Sequence, residues 1–272
     1  MNSLIPRVIS AAIAILILFV VIFYFQITGL KFLIFAVVCI GGLELVEILF
    51  RNNDSRSNRA VFFFFQICIF SLASIKPEYS GLIFAFFAIC FCLFSLLTRY
   101  KFKDLAELSA IQAKSILGFF YMGLLPSFIF RLVSLPNGLW WFVTLLFVVF
   151  AGDIGAYFVG TNIGKKLIMP TVSPKKTFEG AIGGLIGSLL AGVICSPFLP
   201  NASLLFLCVL SLAAGVVAQF GDLFESLLKR VADVKDSGRI MPGHGGILDR
   251  IDGILFASPI FLFGAILLEK IL

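Results

Sequence analysis

The chain has 272 residues, of which 60% are hydrophobic and only 13% charged, and it contains 33 phenylalanines. Soluble domains average about 45 to 50% apolar and about 25% charged residues, so this composition argues against a soluble fold and indicates an integral membrane protein. The net charge of +6 is typical of basic loops beside a membrane, and the scarcity of polar surface excludes a nucleic-acid binder.

Apolar segments long enough to cross a bilayer recur along the whole chain. A spanning helix needs about 20 mostly apolar residues. In chain order the candidate spans are 8–25, 31–50, 60–75, 81–98, 111–130, 138–160, 180–196, 203–221 and 251–269. The first has no small-residue cleavage site behind it, so we expect an uncleaved span rather than a signal peptide. The sequence therefore predicts an all-α integral membrane protein with about nine transmembrane helices.

The distribution of Lys and Arg among the loops indicates the orientation. With the N-terminus cytoplasmic, 17 of the 21 basic residues fall on the cytoplasmic side. The exceptions are Lys31, Lys76, Arg131 and Lys270. This asymmetry follows the positive-inside rule. We therefore expect a multi-pass protein of the inner (plasma) membrane, in which the long polar loops 161–179 and 222–250 form a site at the cytosolic membrane edge.

The first six predicted spans contain three acidic residues. Glu44 and Glu47 are three residues apart near the inner end of the second span, so they share a helix face and are expected to turn to the protein interior or to an interface. Asp153 is flanked by glycines within AGDIGAYFVG. An ionisable group in a span usually faces a polar cavity, whereas the glycines are equally typical of close helix packing. The sequence leaves a role for Asp153 in the site open.

The loop 161–179 ends in SPKKTFEG, which opens the next apolar segment. Hydroxyls, unpaired N–H groups and lysines at a helix start are typical of an anion site, because the helix dipole and the free donors face the ligand. An ordinary basic loop with a capping hydroxyl explains the same residues equally well. The loop lacks the GxxxxGK[ST] spacing of a Walker motif, so no ATPase is implied.

The stretch 219–253 is too polar for lipid and lies between two apolar segments. It holds six of the 15 acidic residues beside five basic ones. The acids are Asp222, Glu225, Asp233, Asp236, Asp249 and Asp252, and the bases are Lys229, Arg230, Lys235, Arg239 and Arg250. Carboxylates bind hard cations and bases bind phosphate oxygens, so this composition predicts metal-dependent phosphate chemistry at a membrane surface. The only histidine, His244, is either a solvated loop residue or a phosphate or metal contact.

Residues 226–252, SLLKRVADVKDSGRIMPGHGGILDRID, closely resemble the motif of the phosphatidate cytidylyltransferases, also called CDP-diacylglycerol synthases. The matching positions are Ser226, Lys229, Arg230, Lys235, Asp236, Gly238, His244, Gly245, Gly246, Asp249, Arg250 and Asp252. The run SPKKTFEG, the lead-in GDLFES and the layout of nine spans resemble this family along essentially the whole chain. Met241 departs mildly from the Leu, Ile or Phe expected at its position.

The resemblance implies a nucleotidyltransferase of phospholipid biosynthesis that makes CDP-diacylglycerol and pyrophosphate from CTP and phosphatidate. Phosphatidate brings its own nucleophile, so the protein has to hold two polyanions in line and neutralise the leaving group. The implied cofactor is Mg²⁺, with the number of metal ions left open, and the implied ligands are Asp222 and Asp249. These two residues, Lys229 and Arg250 form the expected catalytic set. The expected substrate contacts are Ser173, Lys175, Lys176, Thr177, Ser226, Arg230, Lys235, Asp236, His244 and Asp252.

We expect residues 1–110 to form the first four spans and residues 111–272 to form the catalytic transmembrane region. Relatives imply a homodimer. One alternative is a related lipid-phosphate enzyme, such as a CDP-archaeol synthase or a polyprenol kinase. Another is a transporter, which would place its polar residues inside the spans rather than in two loops. The acyl-chain preference and the choice between CTP and dCTP stay open.

Overall fold

The computed structural model describes residues 4–51, 56–243 and 245–271. Its helices are α1 (Leu4–Val20), α2 (Gln26–Leu49), α3 (Arg56–Ile75), α4 (Ser80–Leu97), α5 (Leu105–Gly118), α6 (Leu125–Ser134), α7 (Gly138–Ile163), α8 (Phe178–Cys195), α9 (Leu204–Val231) and α10 (Leu248–Ile271). The strands are β1 (Leu167–Met169) and β2 (Ser173–Thr177).

In the part of the chain that the structure describes, eight helices are long and apolar enough to cross a membrane. This confirms an all-α membrane protein. The count of nine is not reached because residues 12–49 form one helical run of 38 residues. The run is about 57 Å long at 1.5 Å per residue. A π-helical turn, Val21–Phe25, interrupts it and ends at Gln26, whose φ is 50°. The π-helical turn covers the end of the first predicted span and Gln26 directly follows that span, so two crossings in this run stay a prediction.

The predicted polar loop between α7 and α8 contains an antiparallel hairpin. Leu167 of β1 lies opposite Thr177 of β2, and Met169 lies opposite Ser173. The N–H of Phe178 donates to the carbonyl of Lys166 at 2.8 Å, so the hairpin continues directly into α8. The lysine-rich run is therefore held in an extended strand rather than in an irregular loop.

The described residues of 1–130 and 231–249 pack as one compact unit. Its core is an aromatic cluster around Phe62, whose ring stacks on Phe119 with the ring centroids 4.9 Å apart. Phe50 and Phe91 contact the same ring at 5.3 Å and 6.2 Å. Gly118 makes this packing possible, because a Cβ atom there would lie 2.6 Å from Phe62. The many phenylalanines of the sequence thus fill the interior of this unit as well as its apolar surface.

The described residues of 131–230 and 250–272 form the second compact unit. Its centre is the antiparallel pair of α7 and α8, whose backbones approach closely where glycines face each other. A Cβ atom on Gly155 would collide with the carbonyl oxygen of Gly183. The hydroxyl of Ser188 donates to the carbonyl of Val148 at 3.0 Å across the same pair. Close packing of small residues and hydrogen bonds between helices stabilise helix association in lipid, because burial of apolar side chains gives little driving force there.

The close approach of α7 and α8 predicts that Gly155→Ala destabilises the protein. Overpacking costs about 1–3 kcal/mol, which corresponds to a decrease in Tm of about 5 °C for a chain of this size. The measurement is a thermal melt in detergent. Gly81→Ala is the matched control, because a Cβ atom there meets nothing within 4 Å. An equal Tm for both variants would contradict the tight contact.

Candidate active site

An ion pair joins the predicted anion loop to a predicted metal ligand within the second unit. The Nζ of Lys176, at the end of β2, lies 2.6 Å from Oδ2 of Asp222 on α9. Both side chains are partly exposed, whereas the Nζ atom of Lys176 is itself buried. The structure thus brings together two residues that lie 46 positions apart in the sequence.

A second ion pair lies one turn further along α9. Glu225 and Lys229 pair at i and i+4, and their side chains are 1% and 12% exposed. A buried carboxylate is costly unless a base or several donors compensate it. Glu225 therefore holds the ammonium group of Lys229 in place. The predicted site did not include Glu225, although its spacing from Asp222 and Lys229 was the available signal.

Two further carboxylates approach this group. Asp153 on α7 interacts electrostatically with Asp222, Lys176 and Arg250. Asp252 on α10 interacts with Asp222, Asp153 and Lys229. Three helices of the second unit thus bring acidic residues toward one place. The sequence left the role of Asp153 open, and the structure shows that this residue lies near predicted site residues.

The described acids are not preassembled as a complete set of metal ligands. Among the residues that the structure describes, no group of three or more His, Cys, Asp or Glu side chains is arranged to hold a metal ion. Mg²⁺ is usually bound by one or two carboxylates, with water and substrate phosphates as the other ligands. The hard oxygen donors present here are therefore of the right kind for Mg²⁺ bound together with a phosphate substrate.

Local hydrogen bonds fix the hairpin at the start of α8. The Oγ1 of Thr177 caps the helix by accepting from the N–H of Gly180 at 3.1 Å. Oε2 of Glu179 accepts from the N–H groups of Lys165 and Lys166 at 3.0 and 3.2 Å. The capping role that the sequence allowed for Thr177 is therefore present.

The hairpin also contacts the end of α9. Arg230 donates from Nε to the carbonyl of Val172 at 3.2 Å. Lys175 is exposed and Ser173 is half-buried, in the strand that precedes the cap. The strand therefore presents alternate side chains next to a helix N-terminus, where unpaired N–H groups attract anions.

In the first unit, the loop between α9 and α10 is wrapped around Asp249. Oδ2 of this residue accepts from the N–H of Ser237 at 2.9 Å, from the hydroxyl of Ser237 at 2.9 Å and from the N–H of Gly246 at 2.8 Å. Gly245 has a φ of 85°, and a Cβ atom there would lie 2.5 Å from the same oxygen. The carboxylate of the second predicted metal ligand is thus oriented by its own loop.

Glu44 of α2 binds the same loop. Its carboxylate is 6% exposed, and it accepts from the N–H groups of Ile247 and Leu248 at 3.1 and 2.9 Å. Glu47, which was expected to share its environment, is 70% exposed and pairs with Arg59 at 3.3 Å. Glu44 therefore turns to the protein interior, as expected, whereas Glu47 lies on the surface of the chain, and its expected alternative position at an interface stays a prediction.

For four other predicted site residues the structure gives the degree of exposure. Lys235, Asp236 and Arg250 are exposed, and Ser226 is half-buried on α9. His244 lies outside the described residues.

Comparison with known proteins gives a match over nearly the entire sequence. A family model described as "Cytidylyltransferase family" matches residues 5–267. A Thermotoga maritima protein named phosphatidate cytidylyltransferase is 34% identical over 276 aligned residues, which cover 96% of this chain and 95% of that protein. Proteins of the same name from Synechocystis sp. and Bacillus subtilis are 38% and 42% identical. The alignment with the Synechocystis protein covers 74% of this chain and 76% of that protein. The alignment with the Bacillus subtilis protein covers 53% of this chain and 54% of that protein. The chain therefore belongs to the Cytidylyltransferase family.

Proposed function

We propose that this protein is a phosphatidate cytidylyltransferase, which converts CTP and phosphatidate into CDP-diacylglycerol and pyrophosphate. The observation that carries the proposal is the 34% identity to the Thermotoga maritima protein of that name along 96% of the chain. The ion pair of Lys176 with Asp222 supports it, because it places an anion-binding base beside a carboxylate that suits a metal ion. The apolar helices suit a position in the bilayer, which is where a lipid substrate resides.

The chemistry requires positioning rather than a protein nucleophile. A phosphate oxygen of phosphatidate attacks the α-phosphorus of CTP, the bond from that phosphorus to the bridging oxygen breaks, and pyrophosphate leaves with the bond electrons. Two polyanions have to approach each other, so bases that neutralise them lower the barrier. In this proposal Lys229 and Arg250 neutralise the leaving group, and the buried carboxylate of Glu225 keeps Lys229 oriented. The proposed substrate contacts are Ser173, Lys175, Lys176, Thr177, Ser226, Arg230, Lys235, Asp236, His244 and Asp252.

Asp222 and Asp249 are the proposed ligands of Mg²⁺. They belong to different units, and each fits as an oxygen ligand on its own. Asp222 is partly exposed and paired with a single base, whereas three donors fix Oδ2 of Asp249 and so set the direction of its carboxylate. When bound, the ion would neutralise charge on the phosphates. The number of metal ions stays open.

We also propose that both polar loops face the cytosol, in the inner membrane. Between the basic segments 51–59, 99–114, 161–179 and 222–250 lie pairs of crossing helices, so the four segments share one side. Under the positive-inside rule this side is cytosolic. The assignment does not depend on whether residues 12–49 cross once or twice. The catalytic region 111–272 and a homodimer stay predictions from the family resemblance.

We expect purified protein to form labelled CDP-diacylglycerol from phosphatidate and labelled CTP in the presence of Mg²⁺. Asp222→Asn or Asp249→Asn should lower turnover about 100-fold or more, the scale of losing one electrostatic stabiliser of a transition state. The matched control is Asp233→Asn, because Asp233 lies two residues after the end of α9 with a φ of 54°, a conformation that Asn also adopts. Near-normal turnover in either of the first two variants would remove that residue from the proposed site. Absence of product with phosphatidate, or product formation with an archaeol or polyprenol substrate instead, would overturn the proposed reaction.

The two neighbouring lysines of β2 should differ in kinetics. Lys175→Ala removes an exposed charge, so it should raise the KM of one polyanionic substrate more than it lowers kcat. Lys176→Ala also removes the partner of Asp222, so it should lower kcat in addition, as should Arg250→Ala. The measurement varies CTP at saturating phosphatidate and then the reverse. An effect of Lys175→Ala on kcat alone would contradict a role of this residue in binding.

The orientation predicts opposite labelling of two loops. In a background whose six native cysteines are replaced, Lys175→Cys should react with a membrane-impermeant maleimide only from the cytosolic side. Asn201→Cys, in the loop between α8 and α9, should react only from outside. Labelling of Lys175→Cys in intact cells would contradict the proposed orientation.

A further inference from the structure

The loop that carries the motif has little secondary structure of its own. In the described part of residues 232–247 the only backbone pairing of a strand type is an isolated bridge, in which the N–H of Met241 donates to the carbonyl of Gly245 at 3.0 Å. A long polar loop without regular secondary structure needs side-chain partners to keep a single conformation. The side chain of Glu44 supplies such partners from α2.

The contacts of Glu44 act as a helix cap provided by a distant part of the chain. The N–H groups of Ile247 and Leu248 stand at the start of α10, where no intrahelical acceptor is available. Each donates to one carboxylate oxygen of Glu44, and Leu248 lies 204 positions away in the sequence. A carboxylate at a helix N-terminus is also stabilised by the helix dipole. Glu44 therefore caps the start of α10.

Two glycines of the loop leave space for this carboxylate. A Cβ atom on Gly238 would collide with Oε1 of Glu44, and one on Gly246 would collide with Oε2 and with the hydroxyl of Ser237. Neither glycine has a positive φ, so their backbone conformation does not require glycine. The absence of side chains at these two motif positions is explained by the presence of Glu44.

Ser237 connects Glu44 to Asp249. Its Oγ lies 3.0 Å from Oε2 of Glu44 and 2.9 Å from Oδ2 of Asp249. A hydroxyl has one proton, so it donates to one of the two carboxylates at a time. Neighbouring backbone N–H groups also bind different carboxylates, because Gly246 donates to Asp249 and Ile247 donates to Glu44. Loss of the Glu44 carboxylate would therefore release the segment that orients Asp249.

We propose that Glu44 is a positioning residue for cytidylyl transfer, which acts by holding the loop from Ser237 to Leu248 so that Asp249 points in the productive direction. This inference rests on the proposed function, because the role of Asp249 comes from it. It assigns a part in the reaction to α2, which lies outside the expected catalytic region.

The test compares Glu44→Gln with Glu47→Gln, an exposed residue on the same helix. Glu44→Gln keeps the shape of the side chain but replaces one acceptor oxygen by a donor that faces N–H and O–H groups. It should lower kcat about tenfold or more, as expected for the loss of charge-assisted hydrogen bonds. It should also raise the Mg²⁺ concentration for half-maximal activity severalfold, and speed hydrogen exchange in peptides covering residues 237–248 but not in α3 or α4. Glu47→Gln should stay within about twofold of the parent in every readout, as is usual for a surface substitution.

Ser237→Ala removes only the bridging hydroxyl and provides a second variant. It should shift kcat and the Mg²⁺ requirement in the same direction with Tm unchanged, and Glu44→Gln should add little in the double variant. Unchanged kcat and Mg²⁺ requirement in Ser237→Ala, or in a folded Glu44→Gln, would overturn the inference. Faster exchange throughout the first unit with a lower Tm and an unchanged Mg²⁺ requirement would show a purely structural role and overturn it as well.

The same experiment separates this inference from the proposed function. If Asp249→Asn is inactive and Glu44→Gln is normal, only the role of Glu44 fails. If the parent protein makes no CDP-diacylglycerol, the proposed function fails, and the exchange rates of residues 237–248 still decide whether Glu44 holds the loop.

Discussion

A carboxylate withdrawn from water has to be compensated by a base or by several hydrogen-bond donors, and this requirement organises the polar part of the molecule. Two backbone N–H groups compensate Glu44, and Lys229 compensates Glu225. Two backbone N–H groups hold Asp249, and the hydroxyl of Ser237 lies within hydrogen-bond distance of both Glu44 and Asp249. Asp222 pairs with Lys176. The groups that compensate Glu44, Glu225 and Asp249 lie within residues 226–252, and Lys176 lies in the run SPKKTFEG. The motif is therefore as much a description of how carboxylates are paired beside a membrane as of which residues are proposed to contact the substrates.

Glycine has three different physical roles in this chain. On α7 and α8 it permits two helix backbones to approach, as at Gly155, which is a packing requirement of helices in lipid. At Gly245 it permits a positive φ beside Asp249. At Gly238 and Gly246 it leaves space for the carboxylate of Glu44. A sequence motif records only that glycine is present, whereas the neighbouring atoms show which role applies.

The two groups of predicted site residues differ in how they are held. In the second unit Lys176 and Lys229 are oriented by ion pairs, which a bound phosphate or cation can reorganise. In the first unit Asp249 is oriented by backbone and hydroxyl donors, which form a more rigid frame. Rigid support of the proposed metal ligand and adjustable support of the proposed phosphate-binding bases suit a reaction in which two polyanions enter and two leave.

The sequence by itself determined the membrane class, most of the spans and the positions of the polar loops, because a spanning helix needs a long apolar run wherever it lies. It also identified the family, since twelve motif positions occur within residues 226–252. Only the tertiary structure decided that residues 12–49 form one helical run, that the lysine-rich loop contains a hairpin, and that Glu44 and Glu47 have opposite environments. Local spacing sets helix faces and caps, whereas a partner 204 positions away is chosen by packing. That is why the sequence indicated a buried glutamate in α2 and could not indicate which groups it binds.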